Sequence, residues 1–341
     1  MKSNKIFVTL RRVALIVIIL ALFFCVSKVF ERKTVNGAWN YSLKVNGFTN
    51  EPEESMDIIG YGSSHMYCTV NPVHIYETYG LRSYVLATQQ QPVDATYYYI
   101  KESLETQSPE VLVLEALMFT VTNDVVTEGV AHDAVDPFPF GWNKLMMINA
   151  LNTEDAKENY YVNFLKYHSR WKELTRQDFD FSWKKETDPT HGYVFLTDAN
   201  PNSMSQISYD DVEEVAILER FEKVFLDIVQ LAKENDTEVL LLVAPYNVGE
   251  EELGRYKYLH RLAEENGVKV LDLNEEFDAT GISNDTDFYD SGHLNAAGSE
   301  KASAYIVDYI KDNYEIAPND VDDDHLWQED IEYYHKELQA E

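Results

Sequence analysis

Two short stretches of the 341-residue chain hold residue types whose chemistry fits together. The first is "DIIGYGSSHMYCTV", residues 57–70, where an apolar run ends at Gly62 and Ser63, Ser64 and His65 follow at once. The second is "DFYDSGHLNAAG", residues 287–298, which sets Asp290 three residues before His293. A serine hydroxyl is a weak nucleophile until a base takes its proton. Imidazole is such a base near neutral pH, and a carboxylate bonded to its other nitrogen fixes the tautomer that leaves the base nitrogen free. In a helical turn, Asp290 and His293 lie on one side and can form that pair. Ser63 or Ser64, with His293 as base and Asp290 as its orienting acid, therefore meets the minimum for an acyl-transfer site. His65, His74, Glu115 and His293 come from different segments, with no short ligand spacing such as H-E-x-x-H, so no metal is expected. The chain has no G-x-G-x-x-G and no P-loop, and no cofactor is expected.

Such residues need a frame to bring them together across more than two hundred positions. The periodicity predicts strands at 56–61, 83–88, 110–116, 237–245 and 268–273. Helices are predicted at 71–80, 92–107, 210–235, 250–267 and 296–314, with Pro72 and Gly80 punctuating the first of these. This alternation predicts an α/β fold: a doubly wound, flavodoxin-like parallel sheet of five strands with helices on both faces. Residues 117–208 break the alternation and read as an insertion between strands three and four, with a helix around 155–175.

In open parallel sheets, function collects at the carboxyl ends of the strands. Those ends carry Ser63, Ser64 and His65 after strand one, Gln89, Gln90 and Gln91 after strand two, and Glu115 at the end of strand three. Pro245, Tyr246 and Asn247 follow strand four. Gln90 and Gln91 are candidate oxyanion or substrate contacts, although Gln91 before Pro92 also suits a helix cap. His65 is a candidate contact to an anionic substrate or a plain helix-start residue, and Glu115 is a candidate substrate contact that could instead pair with Arg170 or His168. Within "YHSRW" (167–171), Arg170 among aromatics suits a sugar or an acyl donor, or a packed salt-bridged cluster.

The first 33 residues read as a cytoplasmic tail and a single-pass anchor: basic residues precede an uncharged run, Val13–Val26, that flanking residues extend, with a cleaved signal peptide as the competing reading although no small-x-small cleavage site follows the run. Residues 34–55 read as a linker, 56–318 as the main domain, and 319–341 as an acidic appendage that Trp327, Tyr333 and Tyr334 dock. Residues 34–341 hold 21 basic and 58 acidic side chains, a net of −37. That charge argues against nucleic acid as a partner. Cys25 lies in the anchor and Cys68 beyond it, so the domain must be stable without a bridge.

The motifs "GSS" (62–64) and "DSGH" (290–293), at these strand ends, resemble the SGNH or GDSL-like hydrolase superfamily. That resemblance implies the SGNH-type version of the doubly wound fold, with Ser64 as nucleophile, His293 as base and Asp290 as its partner; Ser63 stands where the family has Asp. Serine in place of that Asp, on an anchored chain, looks like the branch of surface-polymer O-acylation proteins, which includes the D-alanyl transfer protein of teichoic acid synthesis and the alginate acetylation proteins. The resemblance implies transfer of an acyl group, most simply acetyl, to a cell-surface polysaccharide or cell-wall polymer outside the cell membrane. It also implies a membrane-bound O-acyltransferase as acyl donor. An esterase acting on the same polymers, or a non-catalytic subunit with a vestigial triad, are the alternatives. Two family donors to the oxyanion are missing: "ATQQQP" has no glycine at the second block, and Glu115 stands near the place of the third-block asparagine. The Ser64 N–H and a group from 88–91 are left to serve.

Overall fold

Aliphatic runs that are buried on both faces form a five-stranded parallel sheet. The computed structural model describes residues 2–204, 207–319, 321 and 324–340; the other positions, which fall in the N-terminal tail, the insertion and the C-terminal appendage, lie outside the described residues. The strands are β1 (Ile58–Gly62), β2 (Ser83–Ala87), β3 (Val111–Glu115), β4 (Glu238–Val243) and β5 (Lys269–Asp272), in the order β2-β1-β3-β4-β5. Every pairing is parallel. Side chains alternate between two layers, as the pleat requires. Ile59, Tyr61, Leu112, Leu114, Leu241 and Val243 enter one core, and Ile58, Val85, Val113, Leu240 and Leu242 the other. The doubly wound prediction holds.

The helices complete both layers. α1 (Lys2–Phe30) and α2 (Tyr41–Phe48) precede the sheet. α3 (Ser64–Thr69) and α4 (Pro72–Tyr79) link β1 to β2, and α5 (Val93–Ser103) links β2 to β3. The insertion holds α6 (Leu117–Thr120), α7 (Glu128–Val135), α8 (Trp142–Ala150), α9 (Glu158–Tyr161) and α10 (Asn163–Tyr167). α11 (Glu219–Glu234), α12 (Glu250–Glu265), α13 (Phe277–Thr280), α14 (Ala296–Asn313) and α15 (Asp324–Ala340) follow. Tyr99, Phe225 and Leu259, from α5, α11 and α12, pack on one face. Met66, Ile75 and Ile306, from α3, α4 and α14, pack on the other.

Three segments differ from the sequence reading. Residues 34–55, read as a linker, contain α2, whose Val45 and Phe48 enter the core. Their spacing of three puts both on one face, and a buried Lys44 fixes the helix by bonding Thr190 Oγ1 (2.8 Å) and the Tyr193 carbonyl (2.5 Å). The helix predicted over 210–235 starts only at Glu219, because the chain before it lies against α12, where the Val215 N–H donates to the Gly254 carbonyl (3.0 Å). The helix predicted around 155–175 is broken at Val162, whose φ of −129° and ψ of 81° are not helical.

The end of the insertion runs back along the sheet. β2 is an edge strand, and the Val85 N–H donates to the His191 carbonyl (2.9 Å). Gly192 makes that approach possible: its φ is +89°, and a Cβ there would stand 1.9 Å from the Val85 carbonyl oxygen. The same segment bonds α3 through Val194 N–H to Tyr67 O (2.9 Å) and meets the start of α14 through Ala296 N–H to Leu196 O (2.7 Å).

α1 contains Ile6–Phe30, a stretch long and apolar enough to cross a membrane. Its end is held by the insertion: Phe164 packs edge-on against Phe23 (5.4 Å) and Phe30 (5.2 Å). At the other terminus Trp327 and Tyr334 are buried and dock α15, whereas Tyr333 faces solvent. Trp327 stacks on His191 at 3.8 Å. His191 also bonds Asp330 on α15 (3.0 Å) and lies 3.3 Å from Glu51 in an ion pair. Burial pushes the His191 pKa down, but the Glu51 and Asp330 carboxylates outweigh it and raise the value to about 10.

The charged imidazole therefore contributes stability that is complete below the unfolded value near pH ~6.5 and is lost as pH rises through about 10. Asp330→Asn should cost about 3 kcal/mol of unfolding free energy at neutral pH. The gap between wild type and variant should narrow steadily as pH is raised from ~6.5 toward about 10. Urea unfolding across that range checks it, and a gap independent of pH would show that His191 is not the group responsible.

Candidate active site

β1 lies between β2 and β3, so the strand order reverses at β1, and the crevice beyond its carboxyl end is where this fold places ligands. Chain direction changes there at Gly62, with φ +156°, and a Cβ at that position would stand 2.4 Å from the Glu115 Cβ. Ser63 follows as the N-cap of α3, its Oγ accepting from the His65 N–H (3.3 Å). Ser64 is the first residue of α3 and is half-buried, so its own N–H is one that the helix leaves unused.

Glu115, at the end of β3, is buried. Its Oε2 accepts from the Ser63 Oγ (2.8 Å) and N–H (3.1 Å), and its Oε1 accepts from the Leu117 N–H (2.5 Å). Burial pushes the Glu115 pKa up, and these bonds pull it only part of the way back. The carboxylate holds the turn that presents Ser64. Sequence reasoning offered Glu115 as a substrate contact or a partner of Arg170 or His168; the structure engages it with Ser63 and Leu117 instead.

On the other side of the crevice, the His293 Nδ1 bonds both Asp290 oxygens, at 2.8 and 3.0 Å. The two residues occupy a tight turn rather than a helical one: Phe288 and Leu294 pair as an antiparallel bridge, and the Tyr289 N–H donates to the His293 carbonyl (2.9 Å). Asp290 also accepts from the Gly292 N–H (2.8 Å). Burial raises the Asp290 pKa, but that bond and the neighbouring His293 outweigh it, so the carboxyl titrates below its ordinary value. The insertion braces this turn, since the Asn200 N–H donates to the Phe288 carbonyl (2.8 Å).

The His293 Nε2 is buried and has no hydrogen-bond partner among the described residues. The His65 ring stands edge-on to the His293 ring at 5.5 Å and to Tyr246 at 4.6 Å. Burial, reinforced by His293, lowers the His65 pKa to about 3, so this imidazole is neutral. Its Nδ1 is buried without a partner as well. Ser64 interacts through its hydroxyl with Tyr67, whose own hydroxyl bonds Tyr41 (3.1 Å). The structure thus brings α3, with Ser64 and His65, to the Asp290–His293 turn through the His65–His293 ring contact.

The remaining candidates have other partners. Gln91 is buried, accepting from Thr88 Oγ1 (3.2 Å) and donating to Thr96 Oγ1 (3.1 Å), whereas the N-cap of α5 is Pro92, which makes no side-chain cap bond, so Gln91 is not a helix cap. Gln90 is exposed with φ +47°. Arg170 donates to the Phe30 carbonyl (2.6 Å) and to Asp178 (2.9 Å), tying the end of α1 to the insertion. Tyr67 and Asn200 were missed by sequence reasoning; neither sits in a motif, and only the return path of the insertion reveals them.

No family model matches the chain, and no curated protein does. Solved structures do align with it, two of them as follows. A putative GDSL-like lipase from Parabacteroides merdae is 11% identical, with 82% of this chain and 97% of that chain covered and a TM-score of 0.32. A mutant of Axe2, an acetyl-xylooligosaccharide esterase from Geobacillus, is 12% identical, with 78% and 98% covered and a TM-score of 0.33. Likeness at that level adds no weight to the geometry.

Glu115→Gln would place an amide group where three donors converge. Unfolding free energy should fall by about 1–3 kcal/mol, because one donor then faces another donor in a buried place. An unchanged urea midpoint would show that the carboxylate does not hold the turn.

Proposed function

We propose that this chain is a serine esterase of the extracytoplasmic face, anchored by α1 with its N-terminus inside, that removes acyl groups, acetyl first among them, from a polysaccharide or related surface polymer. The observation that carries the reading is the Asp290–His293 pair: Nδ1 is fixed by the carboxylate, and Nε2 is buried and unpartnered at the crevice beside α3. An imidazole held in that way is a base with a free lone pair.

The reaction follows from the residues. Ser64 Oγ turns from Tyr67 toward His293, gives its proton to Nε2, and attacks the acyl carbonyl. The oxyanion develops beside the Ser64 N–H at the start of α3. His293 returns the proton to the leaving sugar hydroxyl, and an acyl-Ser64 remains. Water, deprotonated by His293, then attacks that ester and frees the acid. Asp290 keeps the imidazole in the required tautomer and stabilises its charge. His65, neutral and packed against His293, excludes water and offers a polar edge to the substrate.

A second reading is favoured by the apolar span of α1. A second sugar hydroxyl replaces water, and the chain transfers the acyl group from a donor such as a membrane-bound O-acyltransferase onto the polymer. Both readings share every step as far as acyl-Ser64.

The test uses the whole chain in detergent with a chromogenic acetyl ester, with and without an oligosaccharide acceptor. Ser64→Ala and His293→Ala should each lower kcat/KM by roughly 10³-fold or more, and Asp290→Asn by about 10²–10⁴-fold. Mass spectrometry should find the acyl group on Ser64. Turnover that rises with acceptor and yields an acylated sugar decides for transfer. Absence of both acyl-Ser64 and Ser64-dependent turnover would overturn both readings in favour of a non-catalytic subunit.

A further inference from the structure

Away from the crevice, the insertion gathers a second set of groups. Glu128 opens α7 and His132 stands four residues on, so the two share a helix face. The segment before α7 pairs with the chain around Asp155: the Val126 N–H donates to Asn152 O (2.7 Å), and the Glu154 N–H to Val126 O (3.1 Å). As a result Glu128, His132 and Asp155 each place one ligand-type atom within 4.8 Å of the other two.

His132 is the informative member. Its side chain is 6% exposed. Nδ1 lies 3.0 and 3.1 Å from the Asp136 carboxylate oxygens, and Asp136 accepts in turn from the Tyr167 hydroxyl (2.5 Å). An Nδ1–H given to a carboxylate leaves the Nε2 lone pair as an acceptor, the arrangement that orients metal-binding histidines. That Nε2 is buried and has no partner among the described residues. Meanwhile Glu128 and Asp155 bring two carboxylates into this cluster, which repel unless a proton or a cation lies between them, and Asp155 also accepts from the Ala156 N–H (2.8 Å) and the Asn159 amide (2.5 Å). Lys166 pairs with Glu128 from the partly exposed side. It offsets part of the negative charge but leaves the His132 nitrogen unsatisfied.

We propose that Glu128, His132 and Asp155 bind one divalent transition-metal cation, zinc being the best match. One imidazole nitrogen and two carboxylate oxygens are a zinc-type set, with water completing the tetrahedron. Calcium and magnesium favour all-oxygen shells, so the imidazole selects against them. Glu128 and Asp155 are only half-buried, which gives an ion a way in. The ion would bridge α7 to the chain beyond α8 and lock the first half of the insertion. It has no part in the acyl chemistry, and its test does not depend on that reading.

The experiment takes the whole chain in detergent, strips it with a chelator, and titrates it with zinc chloride or calcium chloride. Bound metal and thermal midpoint are both read. One zinc per chain and a raised midpoint are expected, with no midpoint shift from calcium. Glu128→Gln combined with Asp155→Asn should weaken zinc binding by about 100-fold or more, each ligand being worth at least as much as an outer-shell partner. These near-isosteric changes at half-buried positions avoid disturbing His132. Lys166→Met, which removes the competing cation, should tighten binding. Failure to retain one equivalent of zinc, equal binding by the double variant, or weaker binding by Lys166→Met would each overturn the proposal and leave Lys166 as the only cation of the cluster.

Discussion

A single buried carboxylate organises the crevice. Glu115 ends β3, and the chain leaving β1 wraps around it: two of its three donors come from Ser63 and the third from Leu117. Removing a carboxylate from water is costly, and only such a set of donors makes it tolerable. Gly62 is the complement of that arrangement, since any Cβ there would collide with Glu115. The turn that starts α3 is therefore not free to choose its geometry. The hydroxyl next in line, Ser64, inherits a fixed position from a residue on a different strand.

The second half of the site is positioned differently. The Asp290–His293 turn hangs between β5 and α14 and is supported by the returning end of the insertion. That segment bonds the edge strand at Val85, α3 at Tyr67, and the turn at Phe288 through Asn200. It joins the helix of Ser64 to the loop of His293 by backbone hydrogen bonds, which tolerate little displacement. A piece of chain that looks like decoration in topology is the physical link between the two halves of the candidate triad. α15 presses on the same segment through the His191–Trp327 stack.

The sheet and its helices were legible because the strands are short aliphatic runs and the helices carry Pro72, Gly80 and Gly267 as punctuation. The pairing of Asp290 with His293 was legible from spacing alone, even though the turn proved to be a hairpin-like one. α2 was hidden because its apolar residues, Tyr41, Val45 and Phe48, are scattered among polar neighbours and an unusual buried lysine. The work of Glu115 was hidden for another reason: nothing local distinguishes a clamp from a substrate contact, because two of its three donors come from Ser63, 52 residues earlier in the chain. Gln91 and Arg170 show the same ambiguity, which only the identity of their partners resolves.

The folded state of residues 34–55 alters what the anchor does. A flexible linker of that length would let the head wander over a radius on the order of 25 Å above its attachment point. Instead, Arg170 grips the last carbonyl of α1, Lys33 reaches the Asp178 carbonyl (3.1 Å), and α2 enters the core directly afterwards. With α1 in a bilayer, the crevice stands at one height and one tilt, like a tool bolted to a bench rather than hung from a cord. Such a molecule samples its surroundings only by gliding in the plane of the membrane. For the proposed site, what comes within reach is then set by altitude as much as by chemical fit.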